Sequence, residues 1–277
     1  MVDVKKLDLL YFSNDKPVPY ELSNGNNKGK IINIHPIKVV DWGIFEKCLD
    51  VLLQEKQDYD NEDIIMMSYL DFVLNILVHS SVEDDGESLY AEKLAKVLEL
   101  SLKIENIKTG TYRNRTCLVF DDEIVLTSKE FDEIKKIILF QNLEDYDDRY
   151  VSPDVKKLYY DYLATINTTS VNPSLERKKT FVIGKTGISM NEINKMSYRV
   201  FNQIYVSAVE TDIYYANKII QSSQKYEMKE EIIHPLFVAK KDKYADLFVD
   251  KSVVESKVGK ANSWQNKLKS TYSLALF

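Results

Sequence analysis

Cysteine, glycine and proline are all scarce in this chain of 277 residues. Its two cysteines, Cys48 and Cys117, lie far apart, so no disulfide framework is indicated and a reducing compartment is expected. The 8 glycines and 6 prolines argue against long flexible linkers. No apolar run approaches the ~20 residues that cross a membrane, and the N-terminus lacks the apolar core of a signal peptide. These absences favour a cytoplasmic protein.

Metal-ligand spacing is also missing. The three histidines, His35, His79 and His234, are isolated from one another and from the cysteines, so no zinc-type site is predicted. Two acidic segments, 58–63 and 145–150, begin like calcium-binding loops. Each lacks the glycine that the sixth position of such a loop requires for its sharp turn. Both segments are therefore interpreted as solvated loops beside helices.

Nucleotide and catalytic motifs are equally incomplete. Gly184-Lys185-Thr186 has the end of a phosphate-binding loop, but the position that needs the first glycine is Lys179. No nucleophile elbow occurs, and no histidine–carboxylate motif for acid–base catalysis is recognised in the sequence. The sequence therefore predicts no catalytic residue, no cofactor and no metal. A site assembled in the fold from two carboxylates stays open.

The composition that is present is that of a globular protein. Hydrophobic residues make up 44% and charged residues 29% of the chain. The net charge is −6 and the isoelectric point is near 5.3, which argues against a general nucleic-acid binder, since such proteins need a positive surface for phosphates. A local basic patch is compatible with these numbers.

The most informative stretch runs from residue 116 to residue 142. Two β-prone runs at 116–126 flank Asp121-Asp122 and predict a β-hairpin. A helix start follows, in which Thr127 and Glu130 have the spacing of a capping box. Leu126 and Phe131, on either side of the cap, are placed for a hydrophobic staple. These local signals agree, and they predict strand, strand and helix in that order.

The remaining pattern predicts more helices than strands. Ser189 and Glu192 form a second capping-box signal, with apolar residues recurring to about 208 and again from 213 to 220. The other expected helices are 42–53 (capped by Asp41), 62–78, 88–107 and 154–164. The other expected strands are 7–12, 31–34 and 180–183, with a loop over 14–30. The predicted class is α+β, predominantly α-helical with short β-strands and a β-hairpin.

Polar residues at about 167–176 form the best linker candidate. We therefore predict an N-terminal α+β domain, 1–166, and a mainly helical C-terminal domain, 177–277. The lysine-rich end carries two weak candidates for partner contact, Trp264 and Phe277. Trp264 stands among polar residues, and aromatic residues are enriched at interface hot spots.

Several stretches, taken together and in order, resemble the tail assembly chaperones of Gram-positive phages and prophages. The likeness covers about residues 30–235 and does not extend beyond Ala239. The stretches that carry it are Ile34-His-Pro-Ile-Lys38 with Trp42 and Phe45, 65–70, 131–142 with 146–148 and Pro153, 187–193 and 196–201.

This resemblance implies a non-enzymatic helper of tail assembly in the host cytoplasm. Such a protein coats the long helical tape-measure protein and presents it to tail-tube subunits. It needs no cofactor, nucleic acid or membrane, whereas self-association stays open. Exposed apolar stripes on a free helix aggregate, and apolar grooves between helices can cover them. The alternative is a structural tail or baseplate adaptor that is retained in the virion.

Overall fold

The computed structural model confirms the predicted class. Its described residues are mostly helical, with short antiparallel strands in two small sheets. The residues that the structure describes are 3–59, 61–80, 89–120, 123–149, 152–166, 173–223 and 232–238.

The elements follow one another along the chain with helices in the majority. The helices are α1 (Val4–Leu10), α2 (Trp42–Cys48), α3 (Asp50–Leu53), α4 (Glu62–Met66), α5 (Tyr69–Phe72), α6 (Val78–Ser80), α7 (Leu89–Leu102), α8 (Ser128–Asn142), α9 (Pro153–Ile166), α10 (Leu175–Thr186), α11 (Met190–Lys195) and α12 (Tyr198–Ser222). The strands are β1 (Val18–Glu21), β2 (Ile31–Ile34), β3 (Ile107–Tyr112), β4 (Arg115–Phe120) and β5 (Ile124–Thr127). Single 3-10 turns lie at Phe12–Asn14, Gly25–Asn27, Lys56–Asp58 and Pro235–Phe237, and a π-helical turn lies at Val73–Leu77.

The chain forms two compact units, and their bounds differ from the predicted domains. One unit contains residues 1–150 and 171–235, and the other contains 151–170 and 236–277. The predicted domain boundary at 167–176 stays a prediction.

Burial explains why the first unit is discontinuous in sequence. Val39, just before α2, is fully buried in one cluster with Val182 of α10, Ile193 of α11 and Phe201 of α12. Leu175, at the start of α10, packs against both this cluster and the larger core. Helices that follow the predicted linker thus complete a core that begins before residue 40.

The predicted strand at 7–12 is wrong, because this segment forms α1. The side chain of Asp3 caps the helix by accepting the N–H of Lys6 at 3.2 Å. Leu7 and Tyr11, one helical turn apart, both pack on the main core. The apolar run looked strand-like, but the cap and the four-residue spacing of the core contacts are helical features.

The predicted loop over 14–30 contains a strand that sequence reasoning missed. β1 pairs antiparallel with β2 in the register Val18↔Ile34 to Glu21↔Ile31. Pro19 is compatible with this strand, since each strand of a two-stranded sheet has a free edge. The predicted strand at 31–34 is confirmed as β2.

The predicted helix over 62–78 is interrupted. Met67 and Ser68 have extended backbone, and Ser68 starts α5 by accepting the N–H of Asp71 at 3.1 Å. The predicted helix over 88–107 ends early, at Leu102. Lys103 and Asn106 then take the left-handed conformation, which ends the helix without a glycine.

The predicted hairpin at 116–126 is confirmed, and it belongs to a three-stranded sheet in the order β3-β4-β5. β4 and β5 pair from Cys117↔Thr127 to Phe120↔Ile124. Asp121 and Asp122, the predicted turn, lie outside the described residues. β3 was missed because the preceding helix was extended over its first residue.

Helix α8 lies at the centre of the main core. Eight of its 15 residues are buried, including Phe131, Ile134 and Ile138. The predicted capping box is confirmed: the N–H and hydroxyl of Thr127 donate to Glu130 Oε2 at 3.1 and 2.7 Å. Leu126 and Phe131, the predicted staple, are both fully buried. The cap and the apolar stripe together fix where the helix begins and which side it buries.

The last helices follow the predicted caps but not the predicted strand. Residues 180–183 lie inside α10, where Val182 is buried. The capping box at Ser189 and Glu192 is confirmed, with the N–H of Ser189 donating to Glu192 at 2.9 Å. That helix ends at Lys195, and Ser197 caps α12. One predicted helix is thus two helices, separated by two extended residues, Met196 and Ser197.

Candidate partner-binding face

Helix α12 begins tightly held by the N-terminal part of its unit. The N–H of Val39 donates to Met196 O at 3.0 Å, and the N–H of Tyr198 donates to Ile37 O at 2.8 Å. The ring of Tyr198 stacks on that of Trp42, with centroids 3.4 Å apart. The first turn of α12 is therefore fixed by backbone and aromatic contacts at once.

A salt bridge and a buried arginine strengthen this attachment. Arg199 donates from Nη1 to Phe140 O at 2.7 Å and from Nη2 to Asp8 at 3.0 Å. Because its side chain is largely buried, these charge-assisted bonds are worth more than those of an exposed pair. They join α12 to the end of α8 and to α1.

A groove runs along the middle of α12 beside the end of α10. Its volume is about 500 Å³. Its lining residues are Lys185, Thr186, Val200, Gln203, Ile204, Ser207, Ala208, Thr211 and Asp212. Lys185 and Asp212 form an ion pair at 2.6 Å at its rim. Val200, Ile204 and Ala208 supply the apolar part of the lining, and the other six residues are polar or charged.

The second half of α12 exposes apolar side chains on a different face. Val206, Val209, Ile213, Ala216 and Ile220 recur at alternating spacings of three and four residues. Ile213 is 55% exposed, and Val206 and Ile220 are also exposed. We call these five residues the apolar stripe of α12. Alternating spacings of three and four are those of helices that pack lengthwise on another helix.

Acidic residues flank the apolar stripe. Glu210 and Asp212 occupy the helical positions on either side of it, where charged residues of paired helices meet the partner. Asp212 already has Lys185 as a partner. A helix that covered the stripe would be matched best by lysine or arginine beside Glu210.

A second cluster that sequence reasoning missed lies around Lys135. Its Nζ is 3.0 Å from the ring centroid of Tyr69. Burial lowers the pKa of Lys135 to about 7, an effect that the nearby Asp132 carboxylate opposes. Burial also raises the pKa of Asp132, whose Oδ1 has no hydrogen-bond partner.

Two neighbours of this cluster, Tyr69 and Lys56, are already bonded to backbone carbonyls. The single hydroxyl hydrogen of Tyr69 is shared between Val51 O and Gln54 O, each 3.0 Å from the hydroxyl oxygen, so this donor is used by the backbone. Lys56, another neighbouring cation, donates to Ile65 O and Met67 O at 2.8 and 2.6 Å. No motif in the sequence marks the cluster, because its members come together only through the packing of α5 on α8.

The residues that were weighed for metal binding stay apart. The ring of His79 lies 2.9 Å from Leu74 O, and the ring of His234 packs edge-on against Tyr214. The described parts of the chain hold no group of three or more metal-ligating side chains. Gly184-Lys185-Thr186 forms the last turn of α10 and not a phosphate loop.

The two contact candidates from the sequence, Trp264 and Phe277, lie outside the described residues. Trp42 is buried. Cys117 is buried and Cys48 is half-buried; neither forms a disulfide. Within the described ranges, no helix combines the length and the apolar character that a membrane crossing needs. Comparison of the chain with protein-family models, curated proteins and solved structures finds no match.

Proposed function

We propose that this protein is a non-enzymatic phage tail assembly chaperone, which binds an extended amphipathic helix of the tape-measure protein along α12. The observation that carries the proposal is the apolar stripe of α12, which is exposed and spaced for helix packing. The ordered resemblance to tail assembly chaperones supports it. The partner is a helix with an apolar face and basic flanks, in the host cytoplasm.

The size of the apolar stripe suits weak, reversible binding to a long helix. Burying one aliphatic side chain contributes roughly 1.5–3 kcal/mol before the costs of association are subtracted. A face of five such positions, of which one is alanine, gives modest affinity per copy. Many copies along one long helix then hold it by repetition, and each copy can still be displaced by an arriving tail-tube subunit.

Co-expression with a tape-measure segment tests the proposal. The wild-type chain should keep that segment soluble and co-purify with it at low salt. Replacing Ile213 and Ile220 together by Asp should weaken retention at least tenfold, since charges would enter an apolar contact. Met66→Asp is the matched control, because Met66 is 79% exposed on α4, away from the stripe.

The outcomes separate this function from its competitors. Equal retention by wild type and the Ile213→Asp/Ile220→Asp variant would refute the α12 interface. Mass spectrometry of purified particles distinguishes the alternative, a tail or baseplate adaptor: a chaperone should be missing from mature virions, whereas an adaptor should be present in fixed number. A dimer of the wild type that the double variant abolishes would assign the stripe to self-association instead.

A further inference from the structure

A second cavity, lined mainly by polar and cationic residues, lies where the β3–β4 turn meets the first turn of α8. Its volume is about 410 Å³. Its lining residues are Asn24, Tyr112, Arg113, Arg115, Thr116, Cys117, Thr127, Ser128 and Lys129. Three of these side chains are cationic and none is a carboxylate. In a chain with a net charge of −6, this is a local reversal of sign.

The three cations of this cavity, Arg113, Arg115 and Lys129, are not neutralised by ion pairs. Among the described residues, no salt bridge or side-chain hydrogen bond occupies any of them. Arg113 is held near the ring of Tyr112, with the guanidinium carbon 5.2 Å from the centroid. The N–H donors of these three side chains are therefore available to a ligand.

The backbone brings two of these cations together. Tyr112 and Arg115 are the last paired residues of β3 and β4, so Arg113 and Asn114 alone form the turn. Both turn residues have positive φ, at 51° and 60°, as a tight two-residue hairpin requires. The turn places Arg113 and Arg115 on one end of the sheet.

The loop after β1 closes the cavity on another side. At Gly25, an added Cβ would lie 2.2 Å from the hydroxyl oxygen of Tyr112, so the two segments approach as closely as they do because position 25 lacks a side chain. Asn24, next to it, lines the cavity and donates to Val125 O at 2.9 Å. The wall is thus built from three separate parts of the chain.

Helix α8 adds a favourable field for anions. Ser128 and Lys129 are its first two residues, and the N-terminal end of a helix of 15 residues carries a partial positive charge. Glu130, the nearest acidic side chain of that turn, is buried. Its carboxylate accepts hydrogen bonds from Thr127, Ser23 and Asn24, and although Thr127 and Asn24 line the cavity, Glu130 itself does not.

We propose that this cavity binds a small phosphate-bearing anion of the diphosphate type. Arg115 and Lys129 supply charge, Arg113 supplies a guanidinium fork, and the hydroxyls of Thr116 and Ser128 lie in the same lining. Two linked phosphoryl groups match three cations in charge, and the volume admits them together with part of an attached organic group. This site is independent of the helix contact proposed for α12.

Isothermal titration of the full chain with inorganic pyrophosphate tests the site. Wild type should bind with saturable heat, and binding should weaken as salt is added. Arg115→Gln and Lys129→Gln should each raise Kd about tenfold, as loss of a charge-assisted hydrogen bond predicts. Lys136→Gln is the control, since Lys136 is an exposed cation of the same helix outside the cavity. Circular dichroism establishes that each variant is folded.

Additional ligands identify the chemistry that is recognised. Acetate at equal ionic strength should not compete, whereas a phosphate monoester should compete weakly. No binding of pyrophosphate by wild type, or an equal Kd for wild type and the Arg115→Gln/Lys129→Gln double variant, would overturn the proposal. Binding of a single-stranded oligonucleotide in the absence of pyrophosphate binding would also overturn it, in favour of a nucleic-acid contact.

Discussion

Helices α8 and α12 carry similar amphipathic patterns but meet very different surroundings. Eight of the 15 residues of α8 are buried, and the sheet, α5 and the N-terminal segment surround it. In α12, which is described over all of its 25 residues, Phe201 is the one buried side chain. Hydrophobic periodicity shows which side of a helix is apolar, but it does not show whether the rest of the chain covers that side.

The two helices therefore have different physical roles. The apolar side chains of α8 stabilise the fold, because removing them from water is coupled to folding. Those of the second half of α12 contribute little to folding while they stay exposed, and they become favourable only when a partner covers them. Mutations can test this division, since a stabilising residue and a contact residue differ in what their loss changes.

The largest difference is expected from truncation of one apolar residue in each helix. Phe131→Ala should lower the free energy of unfolding by about 3–5 kcal/mol, because a fully buried ring leaves a cavity. Ile213→Ala, at an exposed position, should change it by less than about 0.5 kcal/mol. Urea unfolding measures both. Similar losses would mean that the face of α12 is covered in solution.

The capping boxes of α8 and α11 have the same hydrogen-bond pattern, but the glutamate is buried in the first and exposed in the second. Glu130 is buried, and burial alone would raise its pKa, but hydrogen bonds from Thr127, Ser23 and Asn24 lower it below its ordinary value. Glu130→Gln should cost about 2–4 kcal/mol at pH 7. Glu192→Gln, at the exposed box of α11, should cost much less.

The pH dependence of the Glu130→Gln effect has a definite sign. A lowered pKa in the folded state stabilises the protein above the unfolded pKa, and that stability is lost as the pH falls through the folded value. The difference in the free energy of unfolding between wild type and Glu130→Gln should therefore have its full value at neutral pH. It should become smaller below about pH 4.5. Urea titrations from pH 7 to pH 3.5 measure it, and a difference independent of pH would contradict the charged role.

The smallest effect in this series is an increase in the free energy of unfolding, which we expect from Lys135→Met. The folded state disfavours the charged amine, because burial lowers the pKa of Lys135 to about 7. The unfolded chain binds the proton up to about pH 10.4, so wild-type stability rises with pH across this window. At pH 7 and below, the variant should be more stable by about 2 kcal/mol, and its advantage should decline towards pH 10.

Unfolding in urea at pH 7, 8, 9 and 10 measures this advantage. Lys136→Met is the control, because Lys136 is exposed on the same helix and pairs with Asp148. The control should show no comparable trend with pH. A Lys135→Met variant that is less stable than wild type at pH 7 would show that contact with the Tyr69 ring outweighs the cost of burial.

Local chemistry was the part of the fold that could be read from the sequence. Both capping boxes involve residues three positions apart, so their hydrogen bonds need no knowledge of the remaining chain. β3 was missed for the opposite reason: the helix before it ends at Lys103 and Asn106 in left-handed conformations, without the glycine that usually marks such an end. A strand without a buried residue then follows, so no alternating apolar pattern marks it.

The candidate sites depend on contacts that are distant in sequence. The pKa of Lys135 follows from the packing of α5 on α8, and the cavity beside Arg115 needs the loop that contains Gly25. The apolar stripe of α12 could have been found, since its alternating spacing is visible in the sequence. The sequence pattern predicts apolar positions up to about residue 208 and again from 213, and the stripe crosses that break.

The bridge between Lys38 and Ser197 has a mechanical consequence. Ile220 lies 22 residues beyond Tyr198 in one continuous helix, so a sideways pull there acts through a lever arm of about 33 Å. The resulting torque reaches the backbone of residues 37–39, a few positions after the end of β2. A force on the far end of α12 therefore acts on the two backbone hydrogen bonds that join Met196 to Val39 and Tyr198 to Ile37. The stacked rings of Trp42 and Tyr198 lie beside these bonds.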